Sequence, residues 1–113
     1  MTDRGVVPLA HVVSDFQRSK AFCEMLGFQA YWPVPGTNTE EVANAVGTPK
    51  YKVEGALMAL QNAEQPMVID LLGWKSPRDD SPPCPNLYRP GLARIALSSS
   101  DIDADFDFLV ANS

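Results

Sequence analysis

The sequence predicts an α+β fold: a first strand–helix–strand–strand–strand module followed by a partial second module of one strand and one helix. Three observations support this prediction. Residues 6–13 are almost continuously apolar, as in a strand covered on both faces, and a helical apolar stripe that ends at Gly27 follows them. Two apolar segments, residues 52–60 and 67–74, flank a short polar turn, which is typical of a β-hairpin. The opening strand–helix pattern then returns over residues 91–113.

The composition limits the class of protein. The chain has 113 residues, of which 45% are hydrophobic and 20% charged, as in ordinary globular domains. The net charge of −5 and nine scattered Lys and Arg residues argue against nucleic acid as a partner. No apolar run reaches the roughly 20 residues of a membrane span, and the first residues lack a signal-peptide pattern, so we expect a cytoplasmic protein without a membrane partner. Cys23 and Cys84 have neither disulfide nor zinc spacing and are interpreted as free thiols.

The first module is predicted element by element. Ser14 and Gln17 have the spacing of a capping box, which predicts a helix that begins at Ser14. A second strand over residues 28–32 follows the helix and ends at prolines. Thr39 is a predicted cap for a short helix over residues 40–46, which Gly47 closes, before the hairpin.

The rest of the chain divides at a change in composition. The first module covers residues 1–75, a proline-rich linker covers residues 76–90, and the partial second module covers residues 91–113. We expect the three parts to form one domain. In the second module the sequence predicts a strand over residues 91–99 and a helix over residues 101–111, with four apolar residues as its buried stripe: Ile102, Phe106, Leu109 and Val110.

This order of elements resembles the vicinal oxygen chelate superfamily, which includes glyoxalase I, methylmalonyl-CoA epimerase, extradiol dioxygenases and the bleomycin-resistance proteins. The resemblance rests on short motifs: Val13-Ser14-Asp15, Ala21-Phe22, Leu26-Gly27-Phe28, and the segments 53–60, 68–74, 91–97 and 101–104. It implies a half-barrel with helices on its outer face and a ligand cup inside. It also implies that the chain is C-terminally incomplete, because the family's second module has three more strands after its helix.

The family binds a divalent metal in this cup, through histidines on the first strand and at the start of the second module and through carboxylates on the fourth and last strands. Here the two histidine positions are Pro8 and Arg94, and Asp70 alone matches a carboxylate position. Because a divalent site needs three or four converging ligands, the resemblance implies no metal cofactor unless another chain or missing residues complete the site.

The alternation of side chains along the predicted strands assigns the candidate site residues to one or the other face of the sheet. His11 lies an odd number of residues after Pro8, so it is predicted beneath the first helix as a structural histidine, unless a β-bulge returns it to the cup. Asp70, Trp74 and Arg94 are predicted to point into the cup. Asp70 and Arg94 then form either a structural ion pair or a metal-free site in which the guanidinium replaces the cation and binds an anionic or oxygen-rich ligand. The candidate ligand-binding residues are therefore Pro8, Asp70, Trp74 and Arg94, and no catalytic residue is assigned.

Three functions remain open at this point. The first is a glyoxalase- or bleomycin-resistance-like domain that binds a small molecule without the usual metal. The second is a metal-dependent lyase, epimerase or dioxygenase whose site another chain or missing residues complete, and the third is an incomplete assembly module without activity. We expect a homodimer, because an unpaired strand edge and an open apolar cup favour association, either through the first modules or by exchange of residues 91–113.

Overall fold

The computed structural model describes residues 9–64, 67–83, 85–90 and 95–113. The chain forms two compact units, Met1–Asp80 and Ser81–Ser113. The described part contains four strands and three helices, which confirms the predicted α+β class. In chain order these elements are β1 (Leu9–Val13), α1 (Phe16–Met25), β2 (Phe28–Pro33), α2 (Glu40–Ala45), β3 (Lys52–Leu60), β4 (Val68–Ser76) and α3 (Ile102–Asn112).

The four strands of the first unit form one mixed sheet in the order β1-β4-β3-β2. β3 and β4 are antiparallel neighbours, which confirms the predicted hairpin, and β2 pairs antiparallel with β3. β1 pairs parallel with β4, and this arrangement requires the long connection through α1, β2 and β3 that separates the two strands.

The core lies between α1 and one face of this sheet. Alternate residues of β4 are buried, and Ile69 and Leu71 are each only 2% exposed. Gly73, the next residue on this face, lies directly against α1, because a Cβ built on it would be 2.9 Å from the Cβ of Phe16. The strand register places further buried residues on the same face, and α1 contributes two more from above: Phe28, Ala56 and Met58 from the sheet, and Phe16 and Cys23 from the helix.

The cap of α1 differs from the prediction. Asp15 is the cap residue, and its Oδ1 accepts a hydrogen bond from the backbone N–H of Arg18 at 3.1 Å. The predicted capping box is wrong, because the Gln17 amide donates instead to Glu54 Oε1 on β3, at 2.6 Å. The capping box would need the Gln17 amide oxygen to accept from the backbone N–H of Ser14, but the side chain is directed to β3, where its NH2 group donates to a carboxylate. The predicted end of the helix at Gly27 is confirmed by its φ of +98°.

The short helix α2 agrees with the prediction. Thr39 caps it, with its Oγ1 accepting from the backbone N–H of Val42 at 3.4 Å, and Gly47 after it has a φ of +72°. The chain then returns to β3, which covers the predicted residues 52–60.

The second unit differs from the prediction in two respects. Residues 91–94 lie outside the described residues, and residues 95–99 form no β-ladder, so the predicted strand is not present in its described part. The apolar stripe of α3 is exposed rather than buried, with Ile102 at 71% and Phe106 at 64% exposure. The physical reason is that the described residues of this unit contain no strand against which the helix could pack. The N-terminal cap of α3 is of the same kind as that of α1, because Asp101 Oδ1 accepts a hydrogen bond from the backbone N–H of Ala104 at 3.0 Å.

The correction at the cap of α1 gives a first testable prediction. Asp15→Ala should lower the free energy of unfolding by about 1 kcal/mol, because it leaves the backbone N–H of Arg18 without its acceptor. Ser14→Ala is the matched control and should change the stability by less than about 0.5 kcal/mol. Urea unfolding followed by circular dichroism measures both variants. An equal loss of unfolding free energy in the two would mean that Ser14 also caps the helix and would contradict the prediction.

The contact between Gly73 and α1 gives a second prediction. Gly73→Ala should destabilise the protein by about 1–3 kcal/mol, because the added methyl group would overlap the Cβ of Phe16 and push α1 away from the sheet. Gly36→Ala is the control, since its Cβ would meet only the carbonyl oxygen of Val53 at an ordinary 3.6 Å. Unfolding midpoints in urea compare the variants; a Gly73→Ala protein as stable as Gly36→Ala would contradict this account of the core.

Candidate functional site

The sheet face opposite α1 contains two of the predicted site residues, Asp70 and Trp74. Both lie on β4 and share this face with Val68 and Leu72. The alternating residues Ile69, Leu71 and Gly73 face α1. The register adds residues from the adjacent strands to this face, with Ala10 and Leu57 beside Asp70, Val12 and Gly55 beside Leu72, and Val53 beside Trp74. Asp70 is thus a single carboxyl group among apolar neighbours.

His11 lies on the other side of the sheet. It pairs with Leu71, whereas its neighbour Ala10 pairs with Asp70, so the side chains of His11 and Asp70 point to opposite faces. The Nδ1 atom of His11 is 3.2 Å from the carbonyl oxygen of Leu9, within hydrogen-bonding distance. The predicted position of His11 on the helix side is confirmed, and this histidine does not join Asp70 in one site.

The remaining two candidates, Pro8 and Arg94, lie outside the described residues. Their places on the cup face, and the pairing of Arg94 with Asp70, therefore stay predictions.

The environment of Asp70 is unusual for a carboxyl group. Its side chain is partly exposed, but Oδ1 is buried and has no hydrogen-bond partner among the described residues. Desolvation by the surrounding apolar side chains raises the pKa of Asp70 above its ordinary value. Oδ1 is therefore an acceptor that is available to a hydrogen-bond donor reaching this face.

An aromatic pair borders the same face. The rings of Tyr51 and Trp74 have centroids 4.7 Å apart and are tilted by 48°. The backbone N–H of Tyr51 donates to Asn38 Oδ1 at 2.8 Å, which attaches the loop after β2 to the start of β3. Sequence reasoning identified Trp74 but missed Tyr51, which precedes β3 and an irregularity in the register between Lys52 and Val53, so that strand parity does not predict its contact with Trp74.

The chain after β2 continues beside β3 in the same antiparallel register as far as Thr37. The backbone N–H of Val34 donates to the carbonyl oxygen of Gly55 at 3.0 Å, and the N–H of Val53 donates to Gly36 at 2.9 Å. A Cβ on Gly55 would come within 3.2 Å of the Val34 side chain and 2.8 Å of Leu72. The glycine therefore lets the side chains of Val34 and Leu72, on either side of β3, lie close together on this face.

The described residues contain no group of three or more His, Cys, Asp or Glu side chains that could bind a metal ion. On this face Asp70 supplies one of the three or four ligands that a divalent cation needs. None of the helices in the described ranges is both long and apolar enough to cross a membrane.

Comparisons of the chain with protein-family models, with curated proteins and with solved structures give no match.

The raised pKa of Asp70 predicts a pH-dependent stability. The folded chain keeps the carboxyl proton of Asp70 to a higher pH than the unfolded chain does. The protonated carboxyl group therefore contributes its full stability below the ordinary pKa of 3.8, and this stability is lost as the pH rises through the pKa of the folded state. Asp70→Asn removes this loss and should unfold at a higher temperature than the parent at pH 7, with no difference near pH 3.

Thermal unfolding between pH 3 and pH 7 measures the difference. Asp107→Asn removes one charge from the exposed surface of α3 and corrects the comparison for net charge. A parent protein that is more stable than Asp70→Asn at pH 7 would mean that the carboxylate has a stabilising partner.

Proposed function

We propose that the first unit binds a small organic molecule on the sheet face opposite α1, as a metal-free domain of the glyoxalase and bleomycin-resistance kind. The observation that carries the proposal is the buried Oδ1 of Asp70, which has no partner among the described residues and lies on an otherwise apolar face. The resemblance in the sequence motifs supports it, as does a first unit in which β1 leads into α1 and α1 packs on one face of a four-stranded sheet.

A buried acceptor without a donor carries a cost. Leaving such a group unpaired costs about 1–3 kcal/mol, and the great majority of buried polar atoms in folded proteins are paired. An apolar residue at position 70 would avoid this cost and would match its neighbours Leu57 and Leu72 on the same face. A carboxyl group at this place is therefore best explained by a donor that arrives with a ligand.

The chemistry of the face restricts the ligand. Asp70 Oδ1 accepts, so the ligand presents an N–H or O–H group at this point. Leu57 and Leu72 are half-buried and offer apolar contact to the body of the molecule, while Trp74 and Tyr51 offer aromatic contact at one end. The expected ligand is a small, mostly apolar or aromatic compound with a hydrogen-bond donor, and we assign no reaction to it.

The experiment uses pairs of fragments that differ only in the donor: indole and N-methylindole, phenol and anisole. Indole and phenol should raise the unfolding temperature. At a concentration ten times the dissociation constant, the added free energy of unfolding is about 1.4 kcal/mol, and the methylated fragments should add much less. Nuclear magnetic resonance of the labelled chain should place the shifts at Leu57, Asp70 and Leu72.

Two variants test the role of the carboxyl group. Asp70→Ala should abolish the difference between donor and methylated fragments, because the acceptor is gone, while Asp107→Ala should keep it. Equal binding of both members of each pair by the parent protein, or shifts confined to other surfaces, would contradict the proposed site.

A further inference from the structure

Trp32 lies on the same face of the sheet as Asp70, two strands away. The register pairs Trp32 of β2 with Leu57 of β3, and Leu57 pairs with Asp70 of β4. Residues directly opposite each other in an antiparallel ladder place their side chains on one face. The position of Val34, two residues further along the chain, agrees, because a Cβ on Gly55 would lie 3.2 Å from the Val34 Cβ on this face. Asp70, Leu57 and Trp32 therefore form one row across three strands.

A β-bulge in β2 gives Trp32 this orientation. Ala30 pairs with Met58, so a regular ladder would place the next residue, Tyr31, opposite Leu57 and would turn Trp32 to the face of α1. The register shifts between Ala30 and Trp32, and Trp32 takes the place opposite Leu57 instead. Bulges that re-aim a side chain in this way are over-represented beside functional sites. The bulge therefore brings an indole ring to the row that contains Asp70.

The indole of Trp32 is open to a ligand. The residue is 62% exposed, and no aromatic ring of the described residues packs against it. Trp32 is not an isolated apolar residue, because Leu57 and Val34 continue the apolar surface from β2 towards Asp70. A ring at the end of such a surface offers a large contact area to a molecule that covers the row.

Trp74 is the other ring on this face, and its position is less favourable. It lies four residues beyond Asp70 on β4, about 13 Å along the strand, with the side chain of Leu72 between them. Its ring already contacts Tyr51, with the centroids 4.7 Å apart. Trp32 is nearer to the carboxyl group and has no such partner in the described part of the chain.

The side chains beside the row leave a place for a flat molecule. On one side those of Val34 and Leu72 come together over Gly55, since a Cβ on this glycine would lie 3.2 Å and 2.8 Å from them. On the other side β3 carries Ala59, whose side chain is only a methyl group. A molecule that lies along the row thus has Leu57 beneath it and an apolar wall along one side.

We propose that Trp32 is the second anchor of the ligand site, and that the ligand is an aromatic compound of two linked rings with its N–H or O–H donor at one end. The inference rests on the function proposed above, in which the donor bonds to Asp70 Oδ1. A molecule that contacts both anchors covers two interstrand spacings, about 10 Å between the Cα atoms. One six-membered ring is shorter than this distance, whereas two linked rings reach it and stack the far ring on the indole.

The experiment compares 4-phenylphenol with 4-cyclohexylphenol, which share a terminal hydroxyl group and differ in whether the far ring is aromatic. Because stacking on an indole favours the aromatic ring, the parent chain should bind 4-phenylphenol roughly fivefold more tightly. Nuclear magnetic resonance titration of the labelled chain measures both dissociation constants. The chain has two tryptophans, and the indole N–H signal of Trp32, assigned with Trp32→Phe, should shift more than that of Trp74.

Four variants identify the anchors. Trp32→Leu keeps an apolar side chain without a ring, so its two dissociation constants should lie within about twofold of each other, whereas Trp32→Phe should keep a preference for 4-phenylphenol. Asp70→Ala should weaken both phenols alike and keep their ratio. Tyr88→Leu changes an aromatic residue of the second unit that is 89% exposed, and as the matched control it should keep both parent constants. Circular dichroism checks that each variant is folded.

The outcomes separate this inference from the proposed function. A parent chain that prefers phenol to anisole but binds the two substituted phenols equally would overturn the role of Trp32 and leave the site at Asp70 in place. The same conclusion follows if folded Trp32→Leu keeps the preference, or if only the Trp74 signal shifts. No effect of the hydroxyl group in any fragment would overturn both proposals. A Trp32 signal that shifts with protein concentration alone would mean that a second copy covers the ring, and would overturn the inference as well.

Discussion

The close packing of α1 on β4 is the contact on which the rest of the first unit depends. Gly73 has no side chain, and this lets the Cβ of Phe16 approach the strand closely, so that α1 buries the middle of one face of the sheet. Arg78 connects the residue before the cap of α1 to β4. Its guanidinium donates hydrogen bonds to the carbonyl oxygens of Ser14 at 2.9 Å and Trp74 at 3.2 Å. Once α1 covers one face, Asp70 and Trp74 lie on the opposite face of the sheet.

This division of the sheet separates side chains that are neighbours across the strands. β1 and β4 are in parallel register, so Ala10 pairs with Asp70 and His11 pairs with Leu71. A shift of one residue would bring the histidine to the face of the carboxylate and would turn the core residues outward. The register that buries Leu71 therefore also isolates Asp70 from the imidazole.

The sequence by itself determined the local features, because short-range rules govern them. Gly27 ends α1 where the backbone needs a positive φ, residues 52–60 form a strand, and parity places His11 under the helix. Only the tertiary structure decided features that depend on distant partners. Gln17 gives up a cap interaction for Glu54 on β3, and the stripe of α3 stays exposed because amphipathic spacing indicates an apolar face but not what covers it.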